Sequence, residues 1–361
     1  MLLATIATIA TVASCVQRRR REPKSEEDFP SEMIAAAMPT ASQAGVTFLK
    51  PEERLLSLSV IAAYLGRLGI STAPLAPTLA TLEELQRAHC DLIAYENLDL
   101  HAGTAPLPQP TLGPHASARR VTTQHRGGYC FLIVDAYAAL LCSLGFRVSM
   151  HTAGVGESPL PTAKWGNHIV LLVRLDDGRT VVSDVGLGDG PARPFELKSH
   201  AWDEDGYRFK LEERAGGLWH FTHDPLGSFS GFDFSVATTA ESAREFEAYH
   251  AFYWNSLKSN YRTSGVVLQR VCRERGILCL RSCTLKRIHP SLPGGSAVLE
   301  TAETQEQWLE LVQREFHLPL SDLTAQQRTS LWAVVKAKHE EWRLRKDGER
   351  ADVSGQSCAL Q

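Results

Sequence analysis

The stretch RGGYCF at residues 126–131 places a cysteine shortly after two glycines and at the start of a helical pattern. Gly127 and Gly128 allow the backbone to turn sharply before the helix. Cys130 then occupies the first helical turn, where free backbone N–H groups and the helix dipole stabilise a thiolate. Because the thiolate is the reactive form of cysteine, we predict that Cys130 is a nucleophile. The alternative is a buried cysteine that acts as a small apolar side chain.

The helix that begins at Cys130 closes a segment with helical periodicity. Its apolar positions recur every three or four residues up to Gly145, which fits a left-handed C-cap. Upstream, Thr81 and Glu84 form a capping-box pattern that predicts the start of another helix. The first helix of the segment is predicted to bury one face, formed by Leu55, Leu58, Ala62, Leu65 and Leu68. We therefore predict that residues 51–145 are mostly helical.

After Gly145 the apolar period changes to two. This alternation predicts antiparallel strands between residues 146 and 222, and a helix is predicted near residues 242–250. Farther on, strands are predicted near residues 265–272 and 277–286, and a capping box at Thr304 and Gln307 predicts another helix. Separate helical and antiparallel regions indicate an α+β fold.

His168 and Asp184 are the candidate base and its orienting partner, because a thiol nucleophile needs both. Residues 176–178 (Asp-Asp-Gly) suit a three-residue hairpin loop with Gly178 in the left-handed conformation. In this register Leu175 lies opposite Arg179, and the residue numbers of every other opposing pair on the two strands add up to the same total. His168 and Asp184 become diagonal neighbours on one face, roughly 7–8 Å apart between Cα atoms. A two-residue loop would put them on opposite faces.

The composition restricts the class of protein. The chain has 361 residues, 43% hydrophobic and 22% charged, with a net charge of −3. This balance predicts a folded protein with no general affinity for nucleic acid. No apolar run is long enough to span a bilayer. The 8 cysteines are scattered, which favours a reducing compartment over a disulfide framework. We expect a cytoplasmic protein without membrane association.

The first fifty residues differ from the rest. An apolar, threonine-rich start precedes four arginines, at residues 18–21, which is the reverse of a secretory signal. The residues that follow the arginines show no sustained hydrophobic periodicity. We predict a poorly ordered extension over residues 1–50, with a membrane or organelle address and a wrongly chosen start codon as alternatives.

Four segments together resemble the arylamine N-acetyltransferase family. They are RGGYCF at residues 126–131, His168 at a strand start, DVGLG at residues 184–188 and IAYENLD at residues 93–99, which is similar to the family's Pro-Phe-Glu-Asn-Leu segment. The resemblance covers residues 53 to about 340. It implies a helical domain, an antiparallel β-barrel domain and an α/β lid around a cysteine-protease-like catalytic core. We place these at residues 51–145, 146–250 and 251–345, with a flexible tail at 346–361.

The resemblance also implies an activity. An acyl-CoA-dependent N-acyltransferase of this family moves an acetyl group from acetyl-CoA to an aromatic amine or hydrazine by a ping-pong mechanism, in xenobiotic or aromatic-metabolite conversion. Cys130 would carry the acyl group, His168 would accept the thiol proton and Asp184 would hold the imidazole. Arg126 would pair with Glu96 and support the cysteine loop together with Gly127 and Gly128. No resident cofactor, metal or nucleic acid is implied.

The resemblance places two substrate regions. Trp165, Gly166 and Asn167, after Lys164, would lie near the thioester and pantetheine of CoA. The acceptor pocket would include Phe131, Val155 and Leu187, with the loop at residues 154–162 along its border.

The chain departs from the family at several positions. The family usually has some polar residues at the positions of Leu132, Ile133 and Val134. In addition, Ala94 replaces a proline and Leu187 replaces a phenylalanine. These changes leave two alternatives open. The protein could be a relative that uses malonyl-CoA or forms amides from a tethered acyl group, or it could be a catalytically inert binding protein. A Cys-His-Asp triad also leaves a cysteine hydrolase as an alternative.

Three further patterns were interpreted as structural. The G-x-S-x-G match at residues 227–231 lacks the buried strand and following helix of a nucleophile elbow. The cysteines at 272, 279 and 283 lack the spacing of a zinc site. His220 and His223 have no helix to bring both rings to one side, so we predict no metal site there.

Overall fold

The computed structural model describes residues 46–72, 75–103, 107–156 and 165–358, with side chains up to residue 346. Residues 1–45, which make up most of the predicted N-terminal extension, lie outside the described residues. So do Lys164 and most of the predicted acceptor-side loop at residues 157–162.

The first part of the chain is helical, as predicted. It contains α1 (Leu58–Arg67), α2 (Leu79–Leu92), the short strand β1 (Tyr95–Glu96), α3 (Pro114–Thr122) and α4 (Cys130–Ser143). The capping box predicted at Thr81 and Glu84 is wrong, because α2 begins three residues earlier than that box requires. The Thr78 hydroxyl caps it by accepting the Thr81 N–H at 3.3 Å.

The predicted buried face of α1 is wrong for three of its five positions. Leu55 precedes the helix, and Leu58 is 85% exposed. The side chain of Ser57 caps α1, so the helix starts at Leu58 and rotates a different stripe inward. That stripe consists of Val60, Ile61, Tyr64, Leu65 and Leu68. Ala62 lies on the exposed side.

Helix α4 lies at the centre of the largest apolar cluster. Every residue from Cys130 to Cys142 is buried. The helix starts at Cys130 and is followed by Gly145 with φ of +87°, both as predicted. Because α4 is enclosed on all sides, its first turn is held firmly in place.

The first sheet is antiparallel and has eight strands in the order β5-β4-β3-β2-β9-β8-β7-β6. Its strands are β2 (Arg147–Val155), β3 (His168–Arg174), β4 (Thr180–Ser183), β5 (Phe195–Glu196), β6 (His200–Glu204), β7 (Tyr207–Arg214), β8 (Leu218–Thr222) and β9 (Gly231–Ala240). Helix α4 packs against β2 and β3. This contact brings the start of α4 to the strand that begins at His168.

The hairpin register between β3 and β4 matches the prediction. Leu171 lies opposite Ser183, and Arg174 lies opposite Thr180. The Leu175 N–H donates to the Arg179 carbonyl at 2.9 Å, and Gly178 has φ of +90°. The three-residue loop is therefore confirmed, and His168 and Asp184 lie toward the same end of the hairpin.

The rest of the chain builds a second sheet with helices beside it. The elements are α5 (Glu247–Asn255), α6 (Asn260–Thr263), β10 (Val267–Cys272), β11 (Gly276–Arg281), β12 (Thr284–Ile288), β13 (Ser296–Thr301), α7 (Gln305–Phe316) and α8 (Ala325–Cys358). The predicted strand at 277–286 is wrong in extent: it spans the hairpin between β11 and β12. The capping box of Thr304 and Gln307 is confirmed at the start of α7.

The second sheet has the order β1-β10-β11-β12-β13, so one of its strands comes from the helical part of the chain. Helices and two antiparallel sheets make this an α+β fold. The domain limits at residues 145 and 250 remain a prediction. Helix α8 continues through residue 346, the predicted start of the flexible tail. Within the described residues, no helix combines the length and apolar character needed to cross a membrane.

Candidate active site

Cys130 occupies the first turn of α4 and is 2% exposed. Its thiol donates to the Asn167 carbonyl, with Sγ and O 3.7 Å apart. The preceding glycines are needed for close packing. A Cβ on Gly127 would lie 1.8 Å from the Ala94 carbonyl oxygen, and Gly128 has φ of +151°. The cysteine is thus presented by a loop that pairs with the segment around β1.

His168 and Asp184 lie together beside this cysteine. The Nε2 atom of His168 is 2.7 Å from Oδ2 of Asp184, and both side chains are buried. The second carboxylate oxygen, Oδ1, accepts the Gly186 N–H at 2.7 Å. Asp184 is therefore fixed at both oxygens, and it fixes the imidazole in turn.

The charges around His168 favour its protonated form. Burial alone would lower the pKa of His168, but the Asp184 carboxylate and the Cys130 sulfur raise it to about 10. An imidazolium beside the sulfur, together with the N-terminal end of α4, stabilises negative charge on that sulfur. The arrangement therefore supports a thiolate–imidazolium pair.

Gly186 brings Asp184's loop into direct contact with the other two residues. A Cβ at Gly186 would lie 3.0 Å from Cβ of Cys130, 3.0 Å from Cε1 of His168 and 2.7 Å from Cγ2 of Val134. Only a residue without a side chain fits this position without displacing its neighbours. Gly186 is the central glycine of the sequence motif DVGLG. The role of Gly186 depends on a tertiary contact, so the motif alone does not predict it.

Arg126 supports the cysteine loop through buried ion pairs. Its Nε is 3.2 Å from Oε1 of Glu96, and it also contacts Asp99 at 2.5 Å and Asp322 at 3.0 Å. Burial alone would lower the pKa of Arg126, but Glu96, Asp99 and Asp322 raise it. Arg120, which sequence reasoning missed, contacts the same two carboxylates of Glu96 and Asp99 at 2.8 and 2.7 Å.

Gln86 is a second residue that sequence reasoning missed. It is fully buried in α2, where its Oε1 accepts the Ser183 hydroxyl at 2.7 Å. Its Nε2 donates to the carbonyls of Asp184 and Pro191, at 3.4 and 3.2 Å. Gln86 therefore holds both ends of the loop that contains Asp184 and Gly186. The signal was a polar side chain among the buried leucines of α2.

The residues assigned to CoA contact lie immediately before His168. Trp165 is 6% exposed, and its carbonyl accepts the Tyr249 hydroxyl. Gly166 has φ of +89°, and a Cβ there would meet the Tyr249 ring at 2.4 Å. Asn167 uses its side chain to bind the Val155 backbone, at 2.7 and 3.3 Å. In the structure, these groups therefore shape the turn that leads to His168.

The residues assigned to the acceptor pocket fall in two apolar clusters, Phe131 in the one around α4, and Val155 with Leu187 in the one on the first sheet. Phe131 is fully buried and stacks on Phe246 and Tyr253. Val155 is half-buried at the end of β2. Leu187 is 8% exposed and lines a shallow cleft beside Tyr95 and Asp184.

The run of apolar residues after Phe131 has a packing role. Leu132, Ile133 and Val134 are all buried in the core around α4. They therefore fill the space behind Cys130 with apolar side chains.

The patterns interpreted as structural have local partners. His220 lies 2.5 Å from Asp233, and His223 contacts the carbonyl oxygens of Asp189 and Asp224. Gly227 and Gly231 flank a turn between β8 and β9. In the part of the chain that the structure describes, no group of three or more His, Cys, Asp or Glu residues is arranged to hold a metal ion.

Comparisons with known proteins agree on one group of enzymes. A family model described as N-acetyltransferase matches residues 78–325. The chain is 32% identical to an arylamine N-acetyltransferase of Mycobacterium tuberculosis over 166 residues, which cover 44% of this chain and 56% of that protein. It is 30% identical to human arylamine N-acetyltransferase 1 over 142 residues, covering 38% and 47%. The chain thus spans about half the length of these curated relatives.

Solved structures give the same result over a longer span. The arylamine N-acetyltransferase of Nocardia farcinica is 30% identical, with a TM-score of 0.62 over 81% of this chain and all of that one (100%). The Mycobacterium marinum arylamine N-acetyltransferase, solved in complex with CoA, has a TM-score of 0.65 at 23% identity and covers 76% and 99%. At that identity, the second likeness concerns the fold alone.

Proposed function

Since this chain belongs to the arylamine N-acetyltransferase family, we propose that it moves an acetyl group from acetyl-CoA to the nitrogen of an aromatic amine or hydrazine. The reaction follows a ping-pong course through an acyl-Cys130 intermediate. One observation carries this proposal: a buried His168–Asp184 pair with 2.7 Å between Nε2 and Oδ2, next to a cysteine in the first turn of α4.

The first half-reaction forms a thioester on Cys130. The sulfur attacks the acetyl carbonyl carbon of acetyl-CoA, and the bond from that carbon to the CoA sulfur breaks. The proton held by His168 passes to the departing CoA sulfur. One thioester replaces another, so the protein needs mainly an activated thiolate and correct positioning.

The second half-reaction transfers the acetyl group to nitrogen. Acylation removes the charge from the Cys130 sulfur, which is one of the causes that raise the pKa of His168. The neutral imidazole then accepts a proton as the amine nitrogen attacks the thioester carbonyl. The thioester bond breaks, an amide forms, and the thiolate–imidazolium pair is restored.

The surroundings of Cys130 suggest where the substrates bind. We place the thioester of acetyl-CoA beside Asn167, whose carbonyl already faces the Cys130 sulfur. The acceptor would approach along Leu187, whose loop reaches Cys130 through Gly186. Acetyl-CoA is a co-substrate in this account, with no resident cofactor or metal. A reducing cytoplasm suits the requirement for a free thiol.

Steady-state kinetics on the full-length protein test this function. Initial rates of CoA release are measured while acetyl-CoA and an arylamine are varied together. The proposal predicts parallel lines in double-reciprocal plots, and no turnover in Cys130→Ser. Intersecting lines, or CoA release that continues without amine, would contradict it. The second result indicates a hydrolase.

The same assay compares acyl donors and tests for an inert protein. We expect acetyl-CoA to be preferred, while faster turnover with malonyl-CoA would reassign the donor but retain the mechanism. A protein that releases CoA from neither ester would be a binding protein with the family fold.

A further inference from the structure

A second cleft lies between the two sheets, and neither Cys130 nor His168 lines it. Its walls come from the loop after Asp184, from the turn between β6 and β7, and from the turn between β10 and β11. Residues that define it are Asp189, Glu204, Tyr207, Phe209, Arg273 and His289. Tyr207 closes it from one side, since its hydroxyl donates to the Ile288 carbonyl at 2.6 Å.

Asp189 is a buried carboxylate with an unused oxygen in the wall of this cleft. The residue is 1% exposed. Its Oδ2 accepts the Ser228 N–H at 2.7 Å, and the Ser228 side chain contacts the same carboxyl group, whereas its Oδ1 has no hydrogen-bond partner among the described residues. A buried carboxylate oxygen without a donor is costly, so the site is incomplete without a further group.

Glu204 adds a second carboxylate to the same wall. It is 7% exposed, and its Oε1 accepts the Ala192 N–H at 2.8 Å. Within the described residues, neither Asp189 nor Glu204 lies within ion-pair distance of a lysine or arginine. Burial raises the pKa of both carboxyl groups. Arg193 and Arg87 lie 3.7 and 3.9 Å from the oxygens of the neighbouring Asp205. The same arginines partly offset the rise in the pKa of Glu204, and His223 partly offsets that of Asp189.

We propose that this cleft binds a small organic ammonium ion between Asp189 and Glu204. The ammonium group donates to Oδ1 of Asp189 and supplies a direct ion-pair partner, which neither carboxylate has among the described residues. The aromatic rings of Tyr207 and Phe209 form an apolar wall for the carbon substituent and favour a cation nearby. Arg273, which also lines the cleft, lies 3.8 Å from Asp91.

An organic cation fits these residues better than a metal ion. Divalent cations such as Ca²⁺ take about six to eight oxygen ligands, and Mg²⁺ takes six. The described residues contain no cluster of three or more candidate metal ligands. The other candidate for the cleft is a water molecule. Water differs from an ammonium ion because it does not neutralise the charges of the carboxylates.

The test uses methylammonium chloride and the full-length protein at about pH 8, well above the usual pKa of a carboxyl group. The melting temperature is followed during titration, with sodium chloride at equal ionic strength as the reference. We expect a saturable rise in melting temperature with methylammonium alone. Ligand-observed NMR gives the dissociation constant independently of stability.

Three variants locate the site. Asp189→Asn and Glu204→Gln keep the shape of each side chain and remove its charge, and each should weaken binding at least about tenfold. Asp203→Asn is the matched control, since Asp203 is exposed on the same strand as Glu204, and it should bind as the wild type does. Equal binding in all variants, or no difference between methylammonium and sodium, would show that the cleft holds only water.

Discussion

Gly186 packs against two members of the proposed triad, and it offers a test of their spacing at the residue scale. We predict that Gly186→Ala lowers the rate of acetyl transfer by roughly a hundredfold, because the new methyl group must push Cys130 and His168 apart. Activity is measured alongside circular dichroism. Gly66→Ala is the control, since a Cβ at Gly66 meets no atom within 4 Å. Unchanged activity in Gly186→Ala would mean that Cys130 and His168 need not be so close.

Asp184 is predicted to control the reactivity of the thiol through His168. The carboxylate is a main cause of the raised pKa of His168, so Asp184→Asn lowers that pKa and the imidazolium is lost at neutral pH. We expect Cys130 to react with iodoacetamide at least about tenfold more slowly at pH 7. We also expect acetyl transfer to fall by roughly two orders of magnitude or more.

A second histidine–carboxylate pair provides the control for this experiment. His220 and Asp233 lie 2.5 Å apart outside the candidate site. Asp233→Asn should leave the alkylation rate of Cys130 unchanged. Equal alkylation rates in Asp184→Asn and the wild type would remove Asp184 from the proposed triad.

At the scale of single elements, Gln86 connects α2 to the loop after β4. Replacing it by leucine leaves the Ser183 hydroxyl and the Pro191 carbonyl without their partner. We predict that Gln86→Leu reduces the free energy of unfolding by about 1–3 kcal/mol. A positioning role further predicts a lower kcat and a shifted pH profile, because Asp184 loses a contact to its carbonyl.

The control lies on the same helix. Glu84→Leu changes an exposed residue of α2 and should alter neither kcat nor its pH dependence. If Gln86→Leu lowered stability but left the pH profile of kcat unchanged, its role would be structural only.

Some elements could be predicted from sequence alone because their signals are local. Gly178 and the alternating strands determine the hairpin register through turn geometry and side-chain period, and the structure has that register. The start of α4 follows from the glycine pair and the apolar spacing. The buried face of α1 was not predictable in this way, because its sequence contains apolar residues on more than one side. Tertiary packing buries Tyr64 and leaves Leu58 exposed.

On the scale of the whole molecule, Tyr207 joins the two sheets. Its hydroxyl accepts the Ile277 N–H at 3.0 Å and donates to the Ile288 carbonyl at 2.6 Å. We predict that Tyr207→Phe lowers the free energy of unfolding by about 1–3 kcal/mol, measured in urea, since two buried backbone groups lose their partner. Tyr137→Phe is the matched control. The Tyr137 hydroxyl bonds no backbone group among the described residues and contacts one side chain, that of Ser183, so its removal should cost less. Equal losses in the two variants would contradict this account.

Contacts between distant segments were beyond the sequence analysis. The pairing of Arg126 with Glu96 was expected, but Asp322 lies almost two hundred residues away and reaches the same guanidinium. Strand β1 likewise joins a sheet whose other members begin at residue 267. No local pattern specifies either contact, because each depends on how complete elements pack.

The central claim is that Cys130 carries an acyl group between donor and amine. Its most direct test is the intact mass of the full-length protein after mixing with acetyl-CoA in the absence of amine. The account predicts a single acetyl adduct that is absent in Cys130→Ala and disappears when an arylamine is added. No adduct, or one that persists in Cys130→Ala, would contradict it.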